Sequence, residues 1–271
     1  MQSLKNFWET PIYLPYLHES LTDKMIKDFE QKIGYKLPAS LIELLKIQNG
    51  GYVRYSLPET PPMQLWGIGK KYPSLTVLAN ELDEEEYGEF SFSLEGLIAF
   101  DGDRHYYLCL DYRENKDNPQ VSYIDIECDE EEIIADNFDE FLNMLTLKTD
   151  DLYVIKSELP LSEVVQLFEN VLKIKFDEPD FFDYGYENYQ AKFGGDWLFL
   201  SPNKVPLAFA REGENNFNLL ENYKDKTTYR FPEINTNYSL LIFYKEELFS
   251  SLKEKLNGIL DIVKLSDITK N

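Results

Sequence analysis

The chain reads Glu30-Gln31-Lys32-Ile33-Gly34-Tyr35-Lys36-Leu37-Pro38-Ala39-Ser40, then Leu44-Leu45-Lys46-Ile47-Gln48-Asn49-Gly50-Gly51. Two helices are written there, each with its own stop signal. Upstream, Leu21-Thr22-Asp23-Lys24 opens the first. Thr22 or Asp23 can accept from the free N–H groups of the first turn. Met25, Ile26, Phe29 and Ile33 fall at helical spacing on one face. Gly34 ends the helix, because glycine tolerates the left-handed backbone a helix terminus needs. Pro38 lacks an N–H and suits the first turn of the second helix. That helix carries Leu41, Ile42, Leu44, Leu45 and Ile47, and Asn49-Gly50-Gly51 terminates it. Two short amphipathic helices cannot bury their faces alone, so a sheet must follow.

Working outward, Tyr52-Val53-Arg54-Tyr55 alternates and reads as a strand. Pro58, Pro61 and Pro62 mark a loop, and Leu65-Trp66-Gly67-Ile68 is a short core-facing piece. Residues 70–90 read as polar and irregular. Gly96-Leu97-Ile98-Ala99-Phe100 and residues 105–111 read as strands around an Asp101-Gly102-Asp103 turn. Val121–Ile126 is the next strand, and residues 135–147 the closing helix, with Phe138, Phe141, Leu142 and Leu145 on one face. Helices followed by antiparallel strands and a further helix define an α+β domain, assigned to residues 1–150.

In order and spacing these pieces resemble the SUKH superfamily, which includes the Smi/Knr-type regulators of fungal cell-wall glucan synthesis. The resemblance rests on Glu30–Ser40, Leu44–Gly51, Gly67-Ile68, Tyr107-Leu108-Cys109-Leu110-Asp111-Tyr112, Val121-Ser122-Tyr123 and Phe138-Asp139-Glu140-Phe141-Leu142. It covers about residues 20–147. It implies helices packed on a mainly antiparallel sheet and a function without catalysis. Bacterial members are commonly immunity proteins that bind and block a cognate toxin domain, often a nuclease. The fungal branch implies instead a regulatory or scaffold module. Asp111, a carboxylate at a strand end, is open between holding a backbone turn and facing a partner.

The 271 residues carry 49 Asp and Glu against 27 Lys and Arg, a formal charge of -22. Residues 81–140 alone hold 21 acidic side chains against Arg104, Arg113 and Lys116. Two runs dominate: Asp83-Glu84-Glu85-Glu86 and Asp129-Glu130-Glu131-Glu132. Phosphate binding needs cations, so neither nucleic acid nor an anionic membrane is expected as a direct partner, and a basic partner fits better. With 43% hydrophobic and 15% aromatic residues the chain has ample material for a core. No uninterrupted apolar stretch approaches a membrane helix. Met1–Thr10 lacks a charged segment followed by an apolar one, so no secretory signal is expected and the cytoplasm is the expected compartment.

Catalytic signals are sparse. Cys109 and Cys128 form no C-x-x-C motif, and two thiols without a signal are expected reduced. His18 and His105 are isolated. Asp101-Gly102-Asp103 lacks the ligand spacing of an EF-hand loop. No Walker loop, G-x-S-x-G elbow or G-x-G-x-x-G is present. His105 and Cys109 on one strand face would stand about 13 Å apart at roughly 3.3 Å per residue, too far for a base to activate a thiol. No enzyme, cofactor or metal is expected. A hydrolase built on Asp101 and Asp103 would require both carboxylates in a cleft with raised pKa values.

Residues 151–271 read as a second α+β domain of unrecognised family. Leu152–Lys156 is open between strand and linker. Pro160-Leu161-Ser162 starts a helix whose Val164, Val165, Leu167, Phe168 and Leu172 form a broad apolar face. Strands are expected at 174–176, 189–193, 197–200, 206–210, 227–231 and 238–243, with a hairpin turn at Gly194-Gly195-Asp196. Residues 246–256 form a last helix. The stretch 177–187 interleaves five acids with four aromatics, among them Asp180-Phe181-Phe182-Asp183. It is open between a loop folded onto the core and a contact loop. The functional expectation is a binding protein that meets a basic toxin domain, with candidate contacts at Asp83–Glu86, Asp129–Glu132 and Asp180–Asp183. The bland alternative for both acidic runs is a solvated face that keeps the protein soluble.

Overall fold

The computed structural model describes residues 6–58, 63–82 and 90–269. The chain divides into two units, Met1–Lys148 and Thr149–Asn271, and both are α+β.

In the first unit, α1 (Asp23–Ile33) starts where Thr22 accepts a 3.2 Å hydrogen bond from the Met25 N–H, and ends at Gly34, whose φ is 81°. The connection is pinned by Glu30, which accepts from the Leu37 N–H at 3.1 Å and pairs with Lys36. Pro38 caps α2 (Ala39–Ile47), one position earlier than a first-turn residue. Ile26 and Ile33 of α1, with Leu41, Leu44 and Leu45 of α2, turn inward. Ile47, grouped with them by spacing, is 76% exposed at the helix end.

The sheet has five antiparallel strands in chain order: β1 (Thr76–Val77), β2 (Leu97–Gly102), β3 (Tyr106–Asp111), β4 (Gln120–Asp125) and β5 (Glu130–Ala135). α3 (Phe138–Met144) follows, its first turn capped by Asn137, which accepts from the Glu140 N–H at 2.9 Å. Side chains alternate between the two faces. Ile98, Phe100, Leu108, Leu110 and Val121 join the helices in one core. Leu97, Ala99, Tyr107, Cys109 and Ile124 join Trp66, Leu78 and Leu82 in a second. With both faces covered, β2 is apolar from Leu97 to Phe100 and β3 from Tyr106 to Leu110, which is why they read as continuous runs.

Four expectations change. Residues 52–55 are not one strand. Gly51–Tyr52 pairs with Gln64–Leu65, Tyr55–Ser56 pairs with Thr146–Leu147, and the chain between them buries Arg54. Residues 70–90 contain β1 and the buried Leu75, Leu78 and Leu82. Asp101 and Gly102 lie inside β2, so the turn is displaced to residues 103–105. Glu130–Glu132 of the second acidic run lie on a strand, and the helix after it begins only at Phe138.

In the second unit, β6 (Leu152–Ile155) is a central strand. α4 (Leu161–Leu172) follows, then β7 (Tyr189–Phe193), β8 (Asp196–Pro202), β9 (Ser239–Phe243), α5 (Glu246–Leu256), β10 (Ile262–Lys264) and α6 (Leu265–Thr269). The sheet order is β7-β8-β9-β6-β10. The β7–β8 turn has Gly194 at φ 60° and Gly195 at φ 84°, as a two-residue hairpin loop requires. One face packs Leu198, Leu200, Leu241 and Phe243 against Val164, Phe168 and Leu252. Lys204–Pro206 pairs with Thr227–Tyr229 outside this sheet. Asn203 is wholly buried between them. It donates to the Phe231 carbonyl at 3.0 Å and accepts from the Phe231 N–H at 2.8 Å. Residues 174–176 are not a strand. The Phe176 N–H donates instead to the Glu169 carboxylate on α4 at 3.0 Å.

Candidate partner-binding surface

Asp83, Glu84, Glu85 and Glu86 lie outside the described residues. The second run is well placed. Asp129 makes the β4–β5 turn with φ 53°, and its carboxylate accepts from the Ser91 N–H at 2.9 Å. Glu130, Glu131 and Glu132 follow on β5, which ends the sheet, and all three are exposed. Glutamate disfavours strands. These three are held there by the ladder to β4, where Asp125, Ile124 and Tyr123 stand opposite Glu130, Glu131 and Glu132.

Register sorts the carboxylates by face. Glu131 shares a face with the buried Ile124 and turns toward Arg113, at 2.7 Å. Arg113 also grips Asp111, through Nε at 2.9 Å and a terminal nitrogen at 2.6 Å, and the Ser122 hydroxyl donates to Asp111 at 2.9 Å. Burial works to raise the Asp111 pKa, but the bonds from Arg113 and Ser122 outweigh it and hold the carboxyl below its ordinary value. Asp111 is 3% exposed, so it closes a turn and buttresses the edge rather than meeting a partner. Glu130 and Glu132 share the other face with Asp125 and Tyr123, and Tyr123 stacks on Tyr106 at 5.4 Å. Two carboxylates directly opposite, Asp125 and Glu130, repel across the ladder. Nearby, His105 meets Glu127 at 2.7 Å, and Glu127 raises the His105 pKa. His105 lies in the β2–β3 turn, away from the wholly buried Cys109.

The edge is not uniformly polar. A bulge sets Ile133 and Ile134 against Ser122 alone. Ile133 is 56% exposed, and Met144 on α3 is 43% exposed. They line a groove with Ile134, Asp136, Glu140 and Asn143. Ile133, Met144 and Tyr106 were not singled out from sequence, and Tyr123 was read there only as a residue of the fold. The available signal was that residues 117–147 contain ten carboxylates and no Lys, Arg or His.

In the second unit, the Asp180 and Asn188 backbones exchange two 2.9 Å hydrogen bonds that close the acidic-aromatic loop. Asp180 also accepts from the Phe182 N–H at 2.7 Å. Phe181, Phe182 and Tyr184 are 57%, 67% and 41% exposed, whereas Tyr186 is buried. Arg211 lies 5.0 Å from the Phe182 ring, pairs with Asp183 at 3.3 Å and with Glu214 at 3.0 Å. The loop thus presents aromatics outward on a fixed frame.

Asp101 and Asp103 do not act as a pair. Asp101 is 3% exposed, and burial pushes its carboxyl up to about 8 against the pull of the Gly102 and Gln64 amides. Asp103 is exposed and spends its carboxylate on the turn, accepting from the His105 and Tyr106 N–H groups. Among the described residues no group of three or more His, Cys, Asp or Glu side chains is placed to hold a metal ion, and no helix is long and apolar enough to cross a membrane.

Comparison with known proteins places this arrangement. No curated protein matches the chain. A family model matches residues 20–144, from the residue before the α1 cap region to the last turn of α3, and it is that of the SMI1/KNR4 family (SUKH-1). The matched span contains both helices, the five-stranded sheet and the acidic edge. Residues 20–144 are therefore a SUKH domain of the SMI1/KNR4 family.

Proposed function

We propose that the chain is a non-enzymatic binding protein of the cytoplasm, an immunity protein that neutralises a cognate basic toxin domain. The observation that carries this reading is the carboxylate cluster at the β4–β5 end of the sheet: Glu127, Glu130, Glu131 and Glu132, all exposed, with the half-buried Asp125 opposite Glu130 and Arg113 on Glu131. Carboxylates opposed across a ladder cost stability on their own. A cationic surface relieves that repulsion and is steered onto it at long range. A nuclease toxin carries such a surface because it must hold phosphates. The acidic-aromatic loop at Asp180–Asp183 is a second contact. Its exposed Phe181 and Phe182 are of the residue type that anchors interfaces.

The test is capture of the toxin domain encoded beside this gene, with affinity measured against salt. Glu130→Lys with Glu132→Lys is expected to weaken binding about tenfold or more and to flatten the salt dependence. Affinity unchanged by both substitutions and by salt sinks the acidic-surface reading.

A further inference from the structure

β5 has a ladder partner on one side only. Among the described residues no strand pairs with its outer edge. A row of unpaired N–H and C=O groups is a template for another strand. Three observations say what kind of strand. Glu130 and Glu132 have no ion-pair partner among the described residues, while Glu131 has Arg113. Next to them the bulge turns Ile133 out over a groove of about 440 Å³, floored by Ile134 and Met144 and flanked by Asp136 and Glu140. No cation occurs between Asp117 and Leu147. A second copy of this edge is a poor occupant, because pairing would set Glu130–Glu132 against like charges. The main chain invites a strand, the side chains reject self, and the groove takes an apolar side chain.

We propose that β5 receives an extended segment of the basic partner as a sixth strand, one that alternates Lys or Arg with β-branched apolar residues. Main-chain hydrogen bonds supply affinity, and the Glu130/Glu132 face and the Ile133–Met144 groove read alternate side chains. This rests on the acidic-surface reading above and adds the mode of contact.

The experiment uses the full chain and a capped eight-residue peptide alternating Lys and Val. Two further peptides of equal charge are methylated on alternate backbone nitrogens, one in each phase. The parent peptide is expected to slow hydrogen exchange at Glu130–Ala135. Methylation in the phase facing β5 is expected to cost about tenfold or more in affinity, the loss of paired main-chain donors, and methylation in the other phase little. Ile133→Thr is expected to weaken the parent peptide severalfold without changing the charge. If both methylated peptides bind as the parent does, while Glu130→Lys with Glu132→Lys still abolishes binding, strand addition is overturned and the acidic surface stands. If those two substitutions leave the parent peptide unaffected, both fail. Absence of protection at β5 while the toxin domain is still captured overturns strand addition alone.

Discussion

Replacing Asp101 with asparagine is expected to change the pH dependence of the SUKH domain's stability. Asp101 is 3% exposed inside β2, and burial lifts its carboxyl from 3.8 to about 8. Folding therefore favours the protonated acid. The folded pKa lies above the unfolded one, so the stabilisation is complete below about pH 3.8 and is lost as pH rises through about 8. At 1.36 kcal/mol per unit, the interval from pH 5 to pH 8 is worth about 4 kcal/mol. Asparagine keeps the acceptor that the Gly102 N–H uses at 2.9 Å and cannot ionise. Its extra N–H adds an offset that does not vary with pH. The stability difference, Asp101→Asn minus wild type, should thus climb by about 4 kcal/mol between pH 5 and pH 8 and level off above pH 9. Urea melts at intervals of one pH unit measure it, followed by the buried Trp8 and Trp66 in a Trp197→Phe background that silences the second unit. The other carboxylates titrate alike in both proteins and cancel. Parallel stability profiles from pH 5 to pH 9 would refute the argument, because Asp101 would then ionise as freely in the fold as outside it.

Arg113→Ala is expected to cost about 3 kcal/mol in urea melts, because it strands the buried Asp111 carboxylate. The wild-type Asp111 pKa is depressed, so its contribution is present above the ordinary carboxylate value and lost as pH falls through the folded one; the variant should lack that acid limb. Asn49→Ala removes three hydrogen bonds, donated to the Glu19 and Ile68 carbonyls and accepted from the Ile68 N–H, and is expected to cost about 3 kcal/mol by the same assay. The two histidines should titrate in a fixed order by NMR: His105 above 6.5 because of Glu127, and His18 below it because of burial with Lys71 adding to that, against the pull of the Pro73 carbonyl. The reverse order would contradict the placement of both side chains. Gly34→Ala should destabilise by about 1 kcal/mol in thermal melts, from the left-handed φ of 81° alone, since nothing lies within 4 Å of the added carbon.

What could be read from sequence tracks how local its cause is. Thr22, Gly34 and Pro38 act within a turn of their own positions, so α1 and α2 were legible to within a residue or two. β2 and β3 were legible because burial makes most of their length apolar, and β4 because its Val, Tyr and Ile favour strands. β5 was not. Four acids in succession argue for a loop, and only the pairing with β4, together with the inward pull of Ile134 and Ala135, makes them a strand. Tyr52–Tyr55 has the alternation of a strand, yet its two ends pair with segments far apart in the chain. Residues 174–176 alternate too, but a side chain from α4 takes the main-chain donor that a ladder would have used. β10 is three residues long and exists only because β6 stands beside it. The same division holds for the surface. Charge is a local count and was visible, whereas the register that puts Glu131 on the face of Arg113 and Glu130 and Glu132 on the other is set across strands.

The turn that starts the acidic edge also carries a chemical handle. Cys109 is wholly buried, and Cys128 is exposed, one residue before Asp129. Asp125 foremost, with Glu130 and Glu127 adding, raises the Cys128 pKa, so its thiol holds its proton at neutral pH. A thiol reagent therefore finds one site on the native protein and reacts there slowly. Cationic reagents concentrate at that turn and anionic ones are repelled. The ratio of their labelling rates is a voltmeter for the local potential, and it should collapse toward one when a cationic partner occupies the neighbouring strand.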